Sequence, residues 1–384
     1  MAFRLGVGAA IVFAVLLAVV RIRAMVLSQP YPPGSDAASY VLAAKALQAG
    51  SNPYDEATWA KLAPQLPYPA LPYLYPPLLA VMAMPLTVLP AAAATQVFVL
   101  LALMSATVFC VLLRRWLGWV TALAMVFLFL PTWATIYFGQ IGFVLAILAL
   151  LAIRAIEADK PTTLGVSLFL GTLLKVTPGA GILLLLQRRY RRALLAGVAV
   201  SALVVLLTLP FAGIQQWMEG SVIALRVPWR AWWLASWTGM LTYLLAPPYG
   251  EVLSAILGLT ALAYTLRRLG KLPAVLALSA LLLLPLLFAR ISWGHHSVTA
   301  LPVLAVLWRR SPGNRLLAIA AWVLITLLDF RGAAPALTLC WAACVWPEHT
   351  GFLERIHQRL VAAWVRLGGT RAGTADAGHA EARG

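Results

Sequence analysis

Carboxylates are scarce in this chain, with twelve Asp and Glu against 29 Lys and Arg in 384 residues. Charge of either sign makes up only 11% of the residues, where soluble domains carry roughly 25%. No large soluble domain can be cut from such a sequence. Cysteine is nearly absent. Cys110, Cys340 and Cys344 all fall in or beside apolar runs, which reads as packing rather than a disulfide or a thiolate metal pair. There is no P-loop, Rossmann fingerprint, zinc spacing or nucleophile elbow. Their absence argues against ATP-driven pumping and against soluble nucleotide-sugar machinery.

What the chain has is apolar length. It is 62% hydrophobic, with a mean hydropathy of +0.88. Stretches apolar enough for lipid recur at about 4–26, 77–90, 93–113, 118–136, 139–156, 162–187, 192–211, 236–248, 251–269, 272–290, 297–309, 314–329 and 333–347. Only helices and closed barrels cross lipid, and these runs lack the alternation of barrel strands. The expected fold is an all-α polytopic bundle of about ten to thirteen transmembrane or re-entrant helices over residues 1–350. Residues 351–384 are expected to form a cytoplasmic, partly disordered tail. The run to Val20 is followed by Arg21 and Arg23 with no small-residue cleavage site, so it reads as an uncleaved first crossing.

The net charge of +17 does not describe a nucleic-acid surface. The cations sit in short clusters between apolar runs, as the positive-inside rule arranges them. The clusters are Arg188–Arg192, Arg267–Lys271, Arg309–Arg315 and the tail arginines, and they are expected on the cytoplasmic face. The loop 26–77, the segment 212–250 and the turn Arg290–His296 then face the other way. Counting every early run as a full crossing puts Arg114–Arg115 on the wrong side of Arg188–Arg192. One or two of 77–90, 139–156 and 162–187 are therefore expected to be half-length or re-entrant.

The loop 26–77 is the polar exception. Ser35 is placed to cap a short helix from Asp36 to Leu47, closed by Gly50. Ala37, Tyr40, Val41, Ala44 and Leu47 form one apolar stripe on it, which predicts a helix lying on the membrane surface. Asp36 is either a solvated helix-start carboxylate or a reactive group. Asp55 and Glu56 follow a turn-like Asn52-Pro53-Tyr54 and read as surface. His295 and His296 stand beside Trp293 and Arg290 at the mouth of an apolar run. Such a cluster can bind phosphate or shuttle protons. With no carboxylate or cysteine nearby in sequence, metal binding is not the expectation. Lys175, in Leu174-Lys175-Val176-Thr177-Pro178, is an intramembrane lysine at a helix break, suited to an anionic group. Gly139-Gln140 marks a junction between two apolar runs.

Taken in order, these positions resemble one family. They are Asp36 after the first crossing, Gly50-Ser51-Asn52-Pro53-Tyr54, Tyr73-Leu74-Tyr75-Pro76-Pro77, Gly139-Gln140, Lys175-Val176-Thr177-Pro178 and Ile291-Ser292-Trp293-Gly294-His295-His296. The pattern is similar to that of the DUF2029 group, glycosyltransferase family 87, over about residues 30–310. It departs at Ile141-Gly142 and at Ser236–Gly239, where the family carries asparagines. The resemblance implies a GT-C-fold membrane enzyme in a bacterial inner membrane, with its site facing the periplasm or cell exterior. It implies a polyprenyl-phosphate sugar donor, most simply mannose, and a lipid or glycan acceptor, with membrane lipids around it and no nucleic acid, metal or cofactor. Asp36 becomes the general base of an inverting transfer. Lys175, Arg290, His295 and His296 become the donor-phosphate group. Tyr54, Tyr75, Gln140 and Trp293 become substrate-binding side chains. Broken helices and an intramembrane lysine also suit a secondary transporter or lipid flippase, the alternative reading.

Overall fold

The computed structural model describes residues 31–65, 71–226, 235–328 and 330–366, and scattered residues between 16 and 28. The first predicted crossing and the tail beyond 366 lie largely or wholly outside the described residues. Within them the chain is helical throughout, with no strand. The helices are α1 (Ala37–Gln48), α2 (Glu56–Leu62), α3 (Pro77–Ala83), α4 (Ala91–Leu117), α5 (Trp119–Phe127), α6 (Leu130–Tyr137), α7 (Gly142–Glu157), α8 (Pro161–Leu174) and α9 (Arg191–Thr208). They continue with α10 (Ile214–Arg226), α11 (Trp237–Leu245), α12 (Tyr249–Arg268), α13 (Ala274–Phe288), α14 (Leu301–Arg310), α15 (Pro312–Leu328), α16 (Phe330–Val345) and α17 (Gly351–Arg366).

Among the described residues three helices are long and apolar enough to span a bilayer: Ala91–Leu117, Arg188–Thr208 and Tyr249–Arg268. Each is built inside out relative to a soluble helix. On α4 the large Leu100, Leu103, Met104 and Val108 are exposed while Ala102, Ala106 and Cys110 are buried. On α12 Val252, Ile256 and Leu259 are exposed, with Gly250, Ser254 and Ala261 inside. Small residues at helix contacts and large aliphatics outside are what lipid selects. This is a helical membrane protein. α13 is the converse case. It is apolar nearly all round and buried at Leu276–Leu284, Leu286 and Leu287, so it forms the bundle centre.

The parity problem resolves at 162–187. α8 stops at Leu174 and a 3₁₀ helix runs over Thr177–Leu186. Pro178 has no N–H to give the Leu174 carbonyl, so the helix cannot continue. α8 leaves the end marked by Lys160 and reaches Lys175 after about 21 Å. The 3₁₀ segment returns to Arg188. The run is thus an out-and-back hairpin, not one crossing. Lys160 and Pro161 share a cleft with Arg188–Arg192. On the same rim Arg309 bonds Glu157 at 3.0 Å and lies over the Trp116 ring, and Arg268 pairs with Glu348. Arg114–Arg115 and Arg188–Arg192 therefore share one end of the bundle. The run at 118–136 is also broken, into α5 and α6 inclined at 61°.

α1 differs from the expected surface helix. Ten of its twelve residues are buried, enclosed by α3, α4 and the 3₁₀ turn Met84–Val88. Five alanines let those neighbours approach, so the helix is a core element and its apolar stripe is only part of what it buries.

Candidate active site

Asp36 sits at the start of α1 in helical backbone and makes no capping bond with its side chain. Ser35 does not cap the helix either. Its buried hydroxyl finds no partner among the described residues. The Asp36 carboxylate turns instead to Gln140, whose Nε2–H donates to Oδ2 at 2.5 Å. The orientation of that amide is fixed from behind. Gln140 Oε1 accepts from the hydroxyls of Tyr40 and Tyr75, each at 2.8 Å. An amide oxygen taken by two hydroxyl donors leaves the nitrogen to face the carboxylate.

The turn that carries Gln140 is pinned to the start of α1. Gly34 N–H donates to Tyr137 O at 2.7 Å and Ala37 N–H to Phe138 O at 3.2 Å. Gly139 lies at φ +68, and a Cβ there would stand 2.9 Å from the Ala37 Cβ. Only glycine permits both the left-handed backbone and the close approach.

The cations arrive from far away in sequence. Lys175 is placed by the break after α8, its backbone extended. Its Nζ lies 2.8 Å from His296 Nε2 and 5.1 Å from the centroid of the Tyr75 ring. His296 is held by the Trp293 backbone N–H, which donates to Nδ1 at 3.2 Å. The turn bearing the histidines lies outside the spanning helices. Ala235 N–H donates to Ser292 O, and Ser236 Oγ to Ala289 O. Thr135 Oγ1 donates to His295 O.

These groups surround a cavity of about 400 Å³ lined by Asp36, Tyr75, Gln140, Lys175, Arg290, Trp293 and His296 among others. The rest of the lining is largely apolar, including Leu284, Phe288 and Val176. Two predicted site residues stand elsewhere. Tyr54 does not line this cavity; its hydroxyl donates to Tyr75 O at 2.7 Å and supports that segment from outside. His295 is 7% exposed and sits behind the carboxylate, its Nε2 3.9 Å from Asp36 Oδ2.

Electrostatics refine the expected roles. Burial pushes the Asp36 carboxyl from 3.8 up to about 6, against the lowering effect of the Gln140 hydrogen bond and the Lys175 charge. Burial, then the charge of Lys175, pushes His295 down to about 3. His296 is held well below the usual histidine range by burial, Lys175 and His295. Both imidazoles are neutral near pH 7 and bring no standing charge to the cavity. The basic side chains of the cavity are Lys175, whose ammonium burial pushes down to about 7 against the raising effect of Asp36, and Arg290, which bonds Glu251 at 3.0 Å. Among the described residues no three His, Cys, Asp or Glu side chains converge as a metal site. Tyr40 and Glu251 escaped the sequence reading. Tyr40 had a local signal, lying one helical turn after Asp36. Glu251 had none.

Residues 73–335 match the sequence family described as Glycosyltransferase family 87. The match covers Tyr75, Gln140, Lys175, Arg290 and the His pair, and begins after Asp36. The chain is 28% identical over 319 residues, 71% of its length and 71% of the relative's, to a polyprenol-phosphate-mannose-dependent alpha-(1-2)-phosphatidylinositol mannoside mannosyltransferase of Mycobacterium tuberculosis. No solved structure matches.

Proposed function

The chain belongs to glycosyltransferase family 87, and from this premise we propose that it transfers mannose from polyprenyl phosphate to a lipid or glycan hydroxyl, with Asp36 as the general base. The relative's dependence on polyprenol-phosphate-mannose supports the donor class. The observation that carries the mechanism is that one carboxylate and one lysine line the same largely apolar cavity, Asp36 on one wall and Lys175 on another. The acceptor oxygen attacks the anomeric carbon while its proton passes to Asp36. The new C–O bond forms as the bond to the donor phosphate oxygen breaks, and the phosphate leaves with the electron pair. The anomeric configuration inverts. Base catalysis of this kind contributes on the order of 10²–10⁴-fold. Lys175, with Arg290 on the same cavity, stabilises the charge that develops on the phosphate. The apolar lining suits the start of the prenyl chain. The basic rim at the opposite end of the bundle supports a cavity that faces away from the cytoplasm.

The test is transfer of radiolabel from polyprenyl-phosphate mannose by membranes with and without the chain, with no ATP and no ion gradient. Label should move to acceptor only with the chain, and Asp36→Asn should lower the rate at least 100-fold while the protein stays folded. Near-normal turnover by that variant removes the base assignment. Uptake of intact donor without glycosidic transfer restores the transporter reading.

A further inference from the structure

A second cavity lies at the other end of α8. Its volume is about 730 Å³, and Lys160, Arg188, Arg189, Arg191, Arg192 and Tyr190 line it with Asp159 as its one carboxylate. The floor comes from a tight crossing of α8 and α9, where a Cβ on Gly165 would overlap the Ala193 carbonyl. One wall is the turn after α7, where Asp159 takes φ +48 and Lys160 N–H closes onto Ala155 O.

Net positive charge on this rim follows from the positive-inside rule alone. A concave arrangement of five cations does not. The other basic helix ends carry partners: Arg268 has Glu348, Arg309 has Glu157 and Trp116, and Arg114 lies over Trp119. Among the described residues no carboxylate lies within ion-pair distance of Arg188, Arg189, Arg191 or Arg192, and Arg189 stacks on Tyr190. Guanidinium groups so placed match phosphate oxygens. The cleft is also continuous with a lipid-facing surface. Leu195 on its edge is 58% exposed, and Val198 extends the same apolar face one turn further along α9. Charge at the mouth and an apolar track leading into the bilayer describe a lipid rather than a free anion.

We propose that this cleft holds the phosphate headgroup of an anionic phospholipid, with the acyl chains lying along α9. The ligand is structural to the hairpin of α8 and the 3₁₀ segment, and so fixes the end of α8 opposite Lys175.

The experiment uses the full chain purified in a neutral detergent, with binding read by native mass spectrometry. The probes are dioctanoyl phosphatidylglycerol, dioctanoyl phosphatidylcholine and sodium phosphate. Phosphatidylglycerol should bind, and phosphatidylcholine should bind at least tenfold more weakly. The double variant Arg188→Gln/Arg192→Gln should lose about tenfold or more in phosphatidylglycerol affinity. The double variant Arg355→Gln/Arg359→Gln, which removes the same charge from exposed positions on α17, should not. Equal loss in both variants, no loss in the first, or equal binding of the two lipids overturns the proposal. Sodium phosphate binding as tightly as the lipid replaces it with a free-anion site. A photoreactive phosphatidylglycerol bound to the unaltered chain gives an independent reading. Label should map to 155–161 and 188–198, and label confined elsewhere is a negative answer whatever the variants do.

Discussion

The side-chain amide of Gln140 donates to the carboxylate of Asp36 at 2.5 Å, and nothing in the local sequence of either residue announces the other. The pair joins the start of α1 to the turn between α6 and α7. Because Tyr40 and Tyr75 occupy the Gln140 oxygen, the amide has one role left, which is to hold Oδ2 and leave Oδ1 available to a substrate. Gln140→Met keeps the length and removes the donor. It should lower kcat about 10- to 100-fold, since charge-assisted bonds of this type are the strong ones, with a smaller change in the donor KM. A KM effect alone would show that Gln140 only lines the cavity.

The same bond sets a pH signature. Asp36 acts as a base only when ionised, and its carboxyl is raised to about 6. The value of kcat/KM should therefore fall below about 6 as Asp36 takes up its proton, and fall again above about 7 as the buried Lys175 ammonium loses its own. Gln140 lowers the Asp36 value, so Gln140→Met should move the acid limb to higher pH. Unmoved limbs in both proteins would detach the pH profile from Asp36.

Stability should respond in the opposite sense to activity. The folded carboxyl at about 6 binds its proton more tightly than the unfolded one at 3.8. As pH rises between those values the unfolded chain releases its proton first, so the buried carboxylate increasingly opposes folding, and fully so above about 6. Asp36→Asn should melt about 2–4 °C above the parent at pH 7.5, with the gap closing near pH 4. Thermal melts in detergent at both pH values check this. A variant that melts lower at pH 7.5 would mean that the carboxylate is a net structural asset.

Lys175 is held between the His296 ring and the Tyr75 face. In the proposed mechanism Lys175→Met removes the charge that meets the leaving phosphate, and kcat/KM should fall about 100-fold or more. Lys175→Arg should not restore it. The planar fork of arginine presents a different geometry from a compact ammonium. Steady-state kinetics with varied donor separates the two cases.

The broad architecture was legible because lipid leaves few choices. Apolar runs and clipped cations gave the all-helical bundle, and the misfit between Arg114–Arg115 and Arg188–Arg192 pointed to a folded-back segment before the Pro178 break was seen in space. Lys175, Arg290, Trp293 and His296 were recognisable as polar groups at the ends of apolar runs, and they do line one cavity. Burial was less legible. α1 looked like a surface helix because its stripe is weak, yet its alanines make it fit for enclosure on all sides. Burial also strips the histidines of charge, which no spacing rule conveys. Tyr54 looked equivalent to Tyr75 in sequence, and only the chain path shows that one supports the other.

Gly139 offers the sharpest test of whether the site depends on its backbone. Its φ of +68 is one that a β-carbon disfavours, and the added carbon would press on Ala37 at 2.9 Å and on Phe98 at 3.2 Å. Left-handed backbone at a non-glycine residue costs of order 1–3 kcal/mol. The contact with Ala37 adds to this, because α1 is packed on nearly every side and has nowhere to retreat. Relief must come from the turn itself, which carries Gln140 away from Asp36. Gly139→Ala should thus lower both melting temperature and kcat. Pairing it with Gln140→Met is decisive. If Gly139 acts through Gln140, the double variant should lose little more kcat than Gln140→Met alone, while the melting penalty of Gly139→Ala persists in full. Additive losses in kcat would show that the turn positions something other than the amide.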